Sequence, residues 1–206
     1  MRTTRRLAAL GVAALFSTSA LAAAPATATT GTNPLSAVLS TDTKGYDKNA
    51  KDFDILTVAV LAVLDAKPES PVKVLTDGTT ALTAFIPTDK AFMNLVKSLT
   101  GKTPKTEKAA FNAVASLGID KVESILLYHV VPGSTIMSPD ALKSNGAKLD
   151  TAAAGKVLKV GVKGTTITLT DYSKKPFAKV ILAGVDINKD NAQVAHAIDK
   201  VLMPTK

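Results

Sequence analysis

Cysteine and tryptophan are absent from this 206-residue chain, histidine occurs only twice, and no arginine follows Arg6. Each shortage removes a class of function. Without cysteine there is no disulfide, no thiolate nucleophile, no sulfur ligand for a metal and no lipid-modified cysteine at a cleavage site. Few aromatic side chains and no tryptophan leave little from which to build base-stacking platforms. Lacking arginine beyond its first residues, the chain also lacks the bidentate contacts of nucleic-acid readers, so no nucleic-acid partner is expected. A metal site is not expected either, because His129 and His196 are far apart and neither has a partner at helical spacing. No glycine-rich phosphate loop exists; Gly161 and Gly164 belong to a hairpin. A Ser-His-Asp hydrolase needs its serine on a tight turn beside a histidine; Ser134 lies close to His129 in sequence, but there is no Gly-x-Ser-x-Gly anywhere. Neither a catalytic residue nor a cofactor is expected.

What is present begins with a leader. Arg2, Arg5 and Arg6 precede an apolar run over 7–21, which gives way to an alanine-rich exit ending at Ala28. That is the pattern of a secretory signal peptide, assigned to residues 1–28 and of bacterial type. The run is near the lower limit for spanning a bilayer and carries Ser17, Thr18 and Ser19 at its far end. No second apolar segment follows, so no membrane span is expected after cleavage, and the protein is expected to be secreted, with association at the cell surface open. Residues 29–33 read as a flexible leader, and residues 34–206 as one domain. A chain of that size buries roughly 70% of its unfolded surface and needs no disulfide. With every arginine in the leader, the remainder sets 22 lysines against 17 carboxylates, a net of +5. Those lysines are scattered, which suits a solvated surface and at most weak, salt-sensitive attraction to acidic polymers.

The periodicity of the domain changes half-way. Pro34 suits the first turn of a short helix capped by Asn33, with Leu35, Val38 and Leu39 inward. Asp52 to Ala66 is the strongest helix, its buried side formed by Phe53, Leu56, Val60, Val63 and Leu64. Pro68 and Pro71 stop it, and Asp77-Gly78 is a turn. A strand over 81–86 ends at Pro87. Thr88 then caps a helix whose inner face is Phe92, Leu95, Val96 and Leu99, with Gly101 as its terminator. Lys102 to Lys108 is an exposed loop before a helix over 109–117. Asp120 and Glu123 have capping-box spacing ahead of Val122, Ile125 and Leu126. Tyr128-His129-Val130-Val131 favours a strand, stopped by Pro132-Gly133. After a helical turn at Ser138-Pro139-Asp140, strands dominate. Leu158, Val160 and Val162 alternate, Lys163-Gly164 turns, and Ile167 and Leu169 alternate with threonines. Val180 to Val185 is apolar throughout and reads as a central strand. Val194, His196, Ile198 and Leu202 share one face of the last. Helices first and strands second argue an α+β fold. His129 could serve as a base or ligand, yet its surroundings are apolar, so both it and His196 read as core histidines held by hydrogen bonds.

Three blocks resemble a known family. Thr83-Ala84-Phe85-Ile86-Pro87-Thr88-Asp89-Lys90-Ala91-Phe92 resembles the first signature of fasciclin domains. Leu127-Tyr128-His129-Val130-Val131-Pro132-Gly133 is similar to the central Tyr-His motif, and 194–204 to the closing signature. Order and spacing agree over about residues 34 to 204. The resemblance implies a fasciclin-like wedge or sandwich of short strands with helices packed at one end. It also implies a non-enzymatic adhesion module, secreted and acting at the cell surface or in a matrix. Its partner would be an extracellular protein or a cell-envelope polysaccharide. Thr88 and Asp89 would fix the strand-to-helix turn, and Tyr128 and His129 would tie the middle of the fold together, with His196 in the closing strand. Some relatives make contacts through an Asp-Ile just before the closing signature, where Asp186-Ile187 stands here. The chain departs from the family at Asn191-Ala192-Gln193, which replaces the usual Asn-Gly with one extra residue. The rival reading is an extracellular carrier of an apolar ligand such as a pigment or lipid, which would need an apolar pocket between helices and sheet.

Overall fold

A computed structural model describes residues 31–41, 45–172 and 177–204. The expected signal peptide at 1–28 lies outside the described residues. Of the expected leader, only Gly31 to Asn33 are described; Gly31 forms a parallel bridge with Asn191, and Asn33 hydrogen-bonds Asn188 and Asn191.

The chain is α+β. Its helical half contains α1 (Leu35–Leu39), α2 (Asp54–Ala66), α3 (Asp89–Thr100), α4 (Glu107–Ala115) and α5 (Ile119–Tyr128), with β1 (Leu82–Pro87) between α2 and α3. After α5 come β2 (Val130–Pro132), a single turn α6 (Ser138–Ala141), then β3 (Lys148–Asp150), β4 (Val157–Lys163), β5 (Thr166–Thr170), β6 (Ala178–Lys179) and β7 (Gln193–Ile198). Two sheets result. In the central one, β1 runs antiparallel to β2 and parallel to β7, so residues over a hundred positions apart share one ladder. The other is an antiparallel meander in the order β3-β4-β5-β6. An antiparallel bridge from Val180 to Ile198 joins the two.

Every residue of β1 and of β7 is buried. Alternation sends Leu82, Ala84 and Ile86 into a core built with α1 to α5, whereas Phe85 faces a second core with Leu158, Val160, Ile167 and Leu169 of the meander. The central sheet is therefore covered on both sides.

The structure corrects several local expectations. Pro34, not Asn33, is the N-cap of α1. Asp120 does not cap α5: Gly118 stands at the cap with φ 92°, and Asp120 and Glu123 instead both bind Lys67 Nζ. Tyr128 ends α5 and His129 is its C-cap, so neither is in a strand. α4 begins at Glu107, capped by Thr106, inside the segment read as loop. Ser70 caps a 3-10 helix over Pro71–Thr76 that the prolines conceal. In α3, Phe92 and Val96 are buried but Leu99 is exposed. The largest miss is Val180–Val185. Beyond the bridge at Val180 the backbone coils into a 3-10 turn, Leu182–Gly184, with Leu182 exposed. Gly184 presses so close to Ala197 that an added Cβ would lie 2.6 Å from the alanine Cβ.

Candidate functional site

Thr88 and Asp89 turn the end of β1 into α3 by capping two helices at once. The Thr88 hydroxyl accepts from Ala91 N (3.4 Å) at the start of its own helix. Asp89 is fully buried, and its carboxylate accepts from Ile55 N (2.9 Å) and Asp54 N (3.2 Å) at the start of α2. Backbone bonds from Asp89 N to Asp52 O and from Lys90 N to Ala50 O fix the incoming loop. Burial, and after it the neighbouring Asp52 carboxyl, pushes the Asp89 pKa up to about 8. Burial likewise raises Glu107, and Tyr46 beside it is pushed up to about 12 by burial and then by Asp54, Asp89 and Glu107.

Tyr128 and His129 sit where the two cores meet. Tyr128 packs with the meander core and its hydroxyl donates to Val157 O (3.0 Å); burial raises its pKa. His129, beside it, is buried next to the helical core. Leu202 N donates to Nε2 (2.9 Å), so the ring proton is on Nδ1, which donates to Ile125 O (2.7 Å). The ring thus holds the end of α5 to the chain beyond β7. Burial drives the His129 pKa down to about 4, against the opposing pull of its bond to Ile125 O.

His196 takes the opposite tautomer. Asp186 N donates to Nδ1 (3.2 Å), and Nε2–H donates to Ile136 O (2.8 Å), while the ring lies 5.9 Å from that of Phe85. Its pKa is lowered, again mainly by burial. Asp186 has a left-handed backbone (φ 55°), and its carboxylate accepts from the backbone and hydroxyl of Ser138. Ile187 forms an antiparallel bridge with Ala195 and packs half-buried on the helical core. Asp186 and Ile187 are thus engaged inside the molecule. Ser134 does not approach His129 through a hydrogen bond; its carbonyl accepts from Thr83 Oγ1.

Asp89, Tyr128, His129 and His196 therefore share one job: each ties together segments distant along the chain. A family profile for the fasciclin domain matches residues 59–204. The chain belongs to the fasciclin family. Among solved structures, a FAS1 domain pair from the insect cell adhesion molecule Fasciclin I has the same fold, with a TM-score of 0.51 at 18% identity over 71% of this chain and 46% of that one. The chain thus spans under half the length of that structure. No curated relative matches the chain. Fasciclin domains are generally adhesion-related modules, typically extracellular or at a surface. No helix among the described residues is long and apolar enough to cross a membrane.

Two features of this fasciclin domain escaped sequence reasoning. Gln193, in the segment that departs from the family pattern, is fully buried; its Oε1 accepts from Leu35 N, and its Nε2 donates to Val74 O and Asp77 O. The second is an acidic cluster. Asp52, Asp89 and Glu107 bring ligand oxygens within 4.8 Å of one another, and Asp47, Asp54 and Glu107 do the same. The sequence offered no signal for it beyond helix-start carboxylates, because the three contributing segments are brought together only by tertiary packing.

Proposed function

We propose that this fasciclin domain is a secreted, non-enzymatic binding module working at the cell surface or in an extracellular matrix. The observation that carries the reading is how His129 and His196 are used. Each ring nitrogen of both residues is occupied by a backbone partner inside the fold. A buried neutral imidazole with both nitrogens engaged has no lone pair or proton left for a substrate. Recognition then falls to the outer surface, where lysines with no arginine favour weak, screenable contact with an extracellular protein or a cell-envelope polysaccharide.

Carriage of an apolar ligand has less support. The apolar voids bounded by Phe85, Ile136, Leu169 and His196, and by Leu35, Val60, Leu126 and His129, amount to about 10 and 20 Å³. Each is about the room of one water molecule, far below the roughly 300 Å³ of a small-molecule site. The test is a pull-down with the purified protein against its own cell-envelope fraction and culture polysaccharides. Saturable capture released by salt supports the module. A coloured or lipid-laden purified protein with no envelope capture would overturn it in favour of a carrier.

A further inference from the structure

We propose that the corner where α2, α3 and α4 begin is a calcium-binding site, with Asp52, Asp89 and Glu107 as its carboxylate ligands. Their oxygens lie within 4.8 Å of one another. That is close enough for one ion to touch all three, and a set of three carboxylates suits Ca²⁺, since Mg²⁺ usually keeps several waters and takes only one or two carboxylates.

A cluster of acids at helix starts has an ordinary explanation, and it covers part of this one. Asp89 accepts from two α2 amides, and Glu107 accepts from Asp47 N (2.7 Å). Asp52 is the exception. Both of its carboxylate oxygens are buried, each exposing less than 1 Å², and neither has a hydrogen-bond partner. The carboxyl it faces is that of Asp89, a second acid. A buried carboxylate without a donor is strongly unfavourable unless a positive charge joins it. Helix N-termini supply part of that charge, about +0.5 each and so roughly +1.5 from three. Five carboxyls meet there, Asp47 and Asp54 beside Asp52, Asp89 and Glu107, so the cluster exceeds that even with one proton held by Asp89. None of the three proposed ligands is in an ion pair with a described lysine.

The corner is also rigid, and it borders an open groove. Asp89 N and Lys90 N hold the carbonyls of Asp52 and Ala50, so the loop carrying Asp52 is set before any ion arrives. Glu107 and Asp47 line an open groove of about 700 Å³, together with Tyr46, Met93, Thr106 and the lysines Lys48, Lys105 and Lys108. With those lysines nearby and the oxygens of Asp52 and Asp89 buried, the affinity expected is that of weak extracellular calcium sites, about 10⁻⁴–10⁻³ M.

The test uses Tb³⁺ as a luminescent stand-in, excited through tyrosine, with calcium competition. There is no tryptophan to confuse the signal, and Tyr46 shares the groove with Glu107. Wild type is expected to sensitise Tb³⁺ emission, to lose it to excess Ca²⁺, and to melt about 3 °C or more higher in a few millimolar Ca²⁺ than in chelator. Asp52→Asn, which removes no hydrogen bond, should fold and bind at least about tenfold more weakly. Glu107→Gln should do likewise. Tyr46→Phe should lose emission but keep the calcium-dependent melting shift. Folded wild type with neither emission nor a melting shift would overturn the proposal, leaving the acids to share a proton. Equal binding by Asp52→Asn and wild type would also overturn it, placing the ion elsewhere.

Discussion

The two sheets solve the same problem in opposite ways. The meander pairs strands that are neighbours in sequence, and β4 and β5 alternate buried and open residues in the manner of a sheet with one wet face. The central sheet joins segments from positions 82, 130 and 193 and has no wet face along β1 or β7. Apolar packing holds the meander. In the central sheet the polar side chains are the connectors: Thr83, Gln193 and His196 each reach across to the backbone of another segment, and His129, just before β2, does the same. A sheet built from distant strands has no local turn to fix its register, and these pins supply the specificity that hairpins supply elsewhere.

If that contrast holds, damage should be graded by it. The largest loss is expected for Gln193→Ala, which strands Leu35 N, takes one of two partners from Val74 O and Asp77 O, and leaves a void where a fully buried side chain stood. With about 1–3 kcal/mol for the orphaned donor and the void beside it, the destabilisation should be about 3 kcal/mol by urea unfolding. Gly184→Val drives a side chain into Ala197 on β7 and should cost about 2 kcal/mol by the same measurement. The role of His129 can be read by pH. Its pKa is below that of an exposed imidazole, so its contribution is complete above about pH 6.5 and is lost as pH falls toward 4. Asp89 titrates with the opposite sign, since its raised pKa costs stability as pH climbs toward 8. The difference between wild type and His129→Gln cancels that background. It should shrink by about 2 kcal/mol between pH 7 and pH 5. The smallest effect belongs to the meander's open face: Thr166→Ala should change stability by less than about 0.5 kcal/mol. A large loss at Thr166 would break the contrast.

The meander was legible because one wet face leaves a period of two in the sequence, seen at Leu158, Val160, Ile167 and Leu169. β1 alternated only weakly because Phe85 and Ile86 are both buried, on opposite faces. Val180 to Val185 carried strand-like residues yet coiled, since Gly184 must pass over Ala197; tertiary crowding outweighed composition there. Motif order located Thr88, Asp89, Tyr128, His129 and His196, and their surroundings matched buried, bonded positions. Gln193 and Asp52 could not be found that way. One is a lone glutamine between alanine and valine, the other a helix-start acid like many, and only their distant partners set them apart.

The central claim is that the Tyr-His motif pins the fold and contacts nothing outside it. The most direct measurement is thermal melting of His129→Ala beside wild type, with binding to the captured envelope component assayed below both midpoints. Removing the ring leaves Leu202 N and Ile125 O unsatisfied and opens a void between the cores. The account predicts a midpoint lower by roughly 10 °C, with binding per folded molecule unchanged. An unchanged midpoint with binding abolished would make His129 a contact residue and contradict the account.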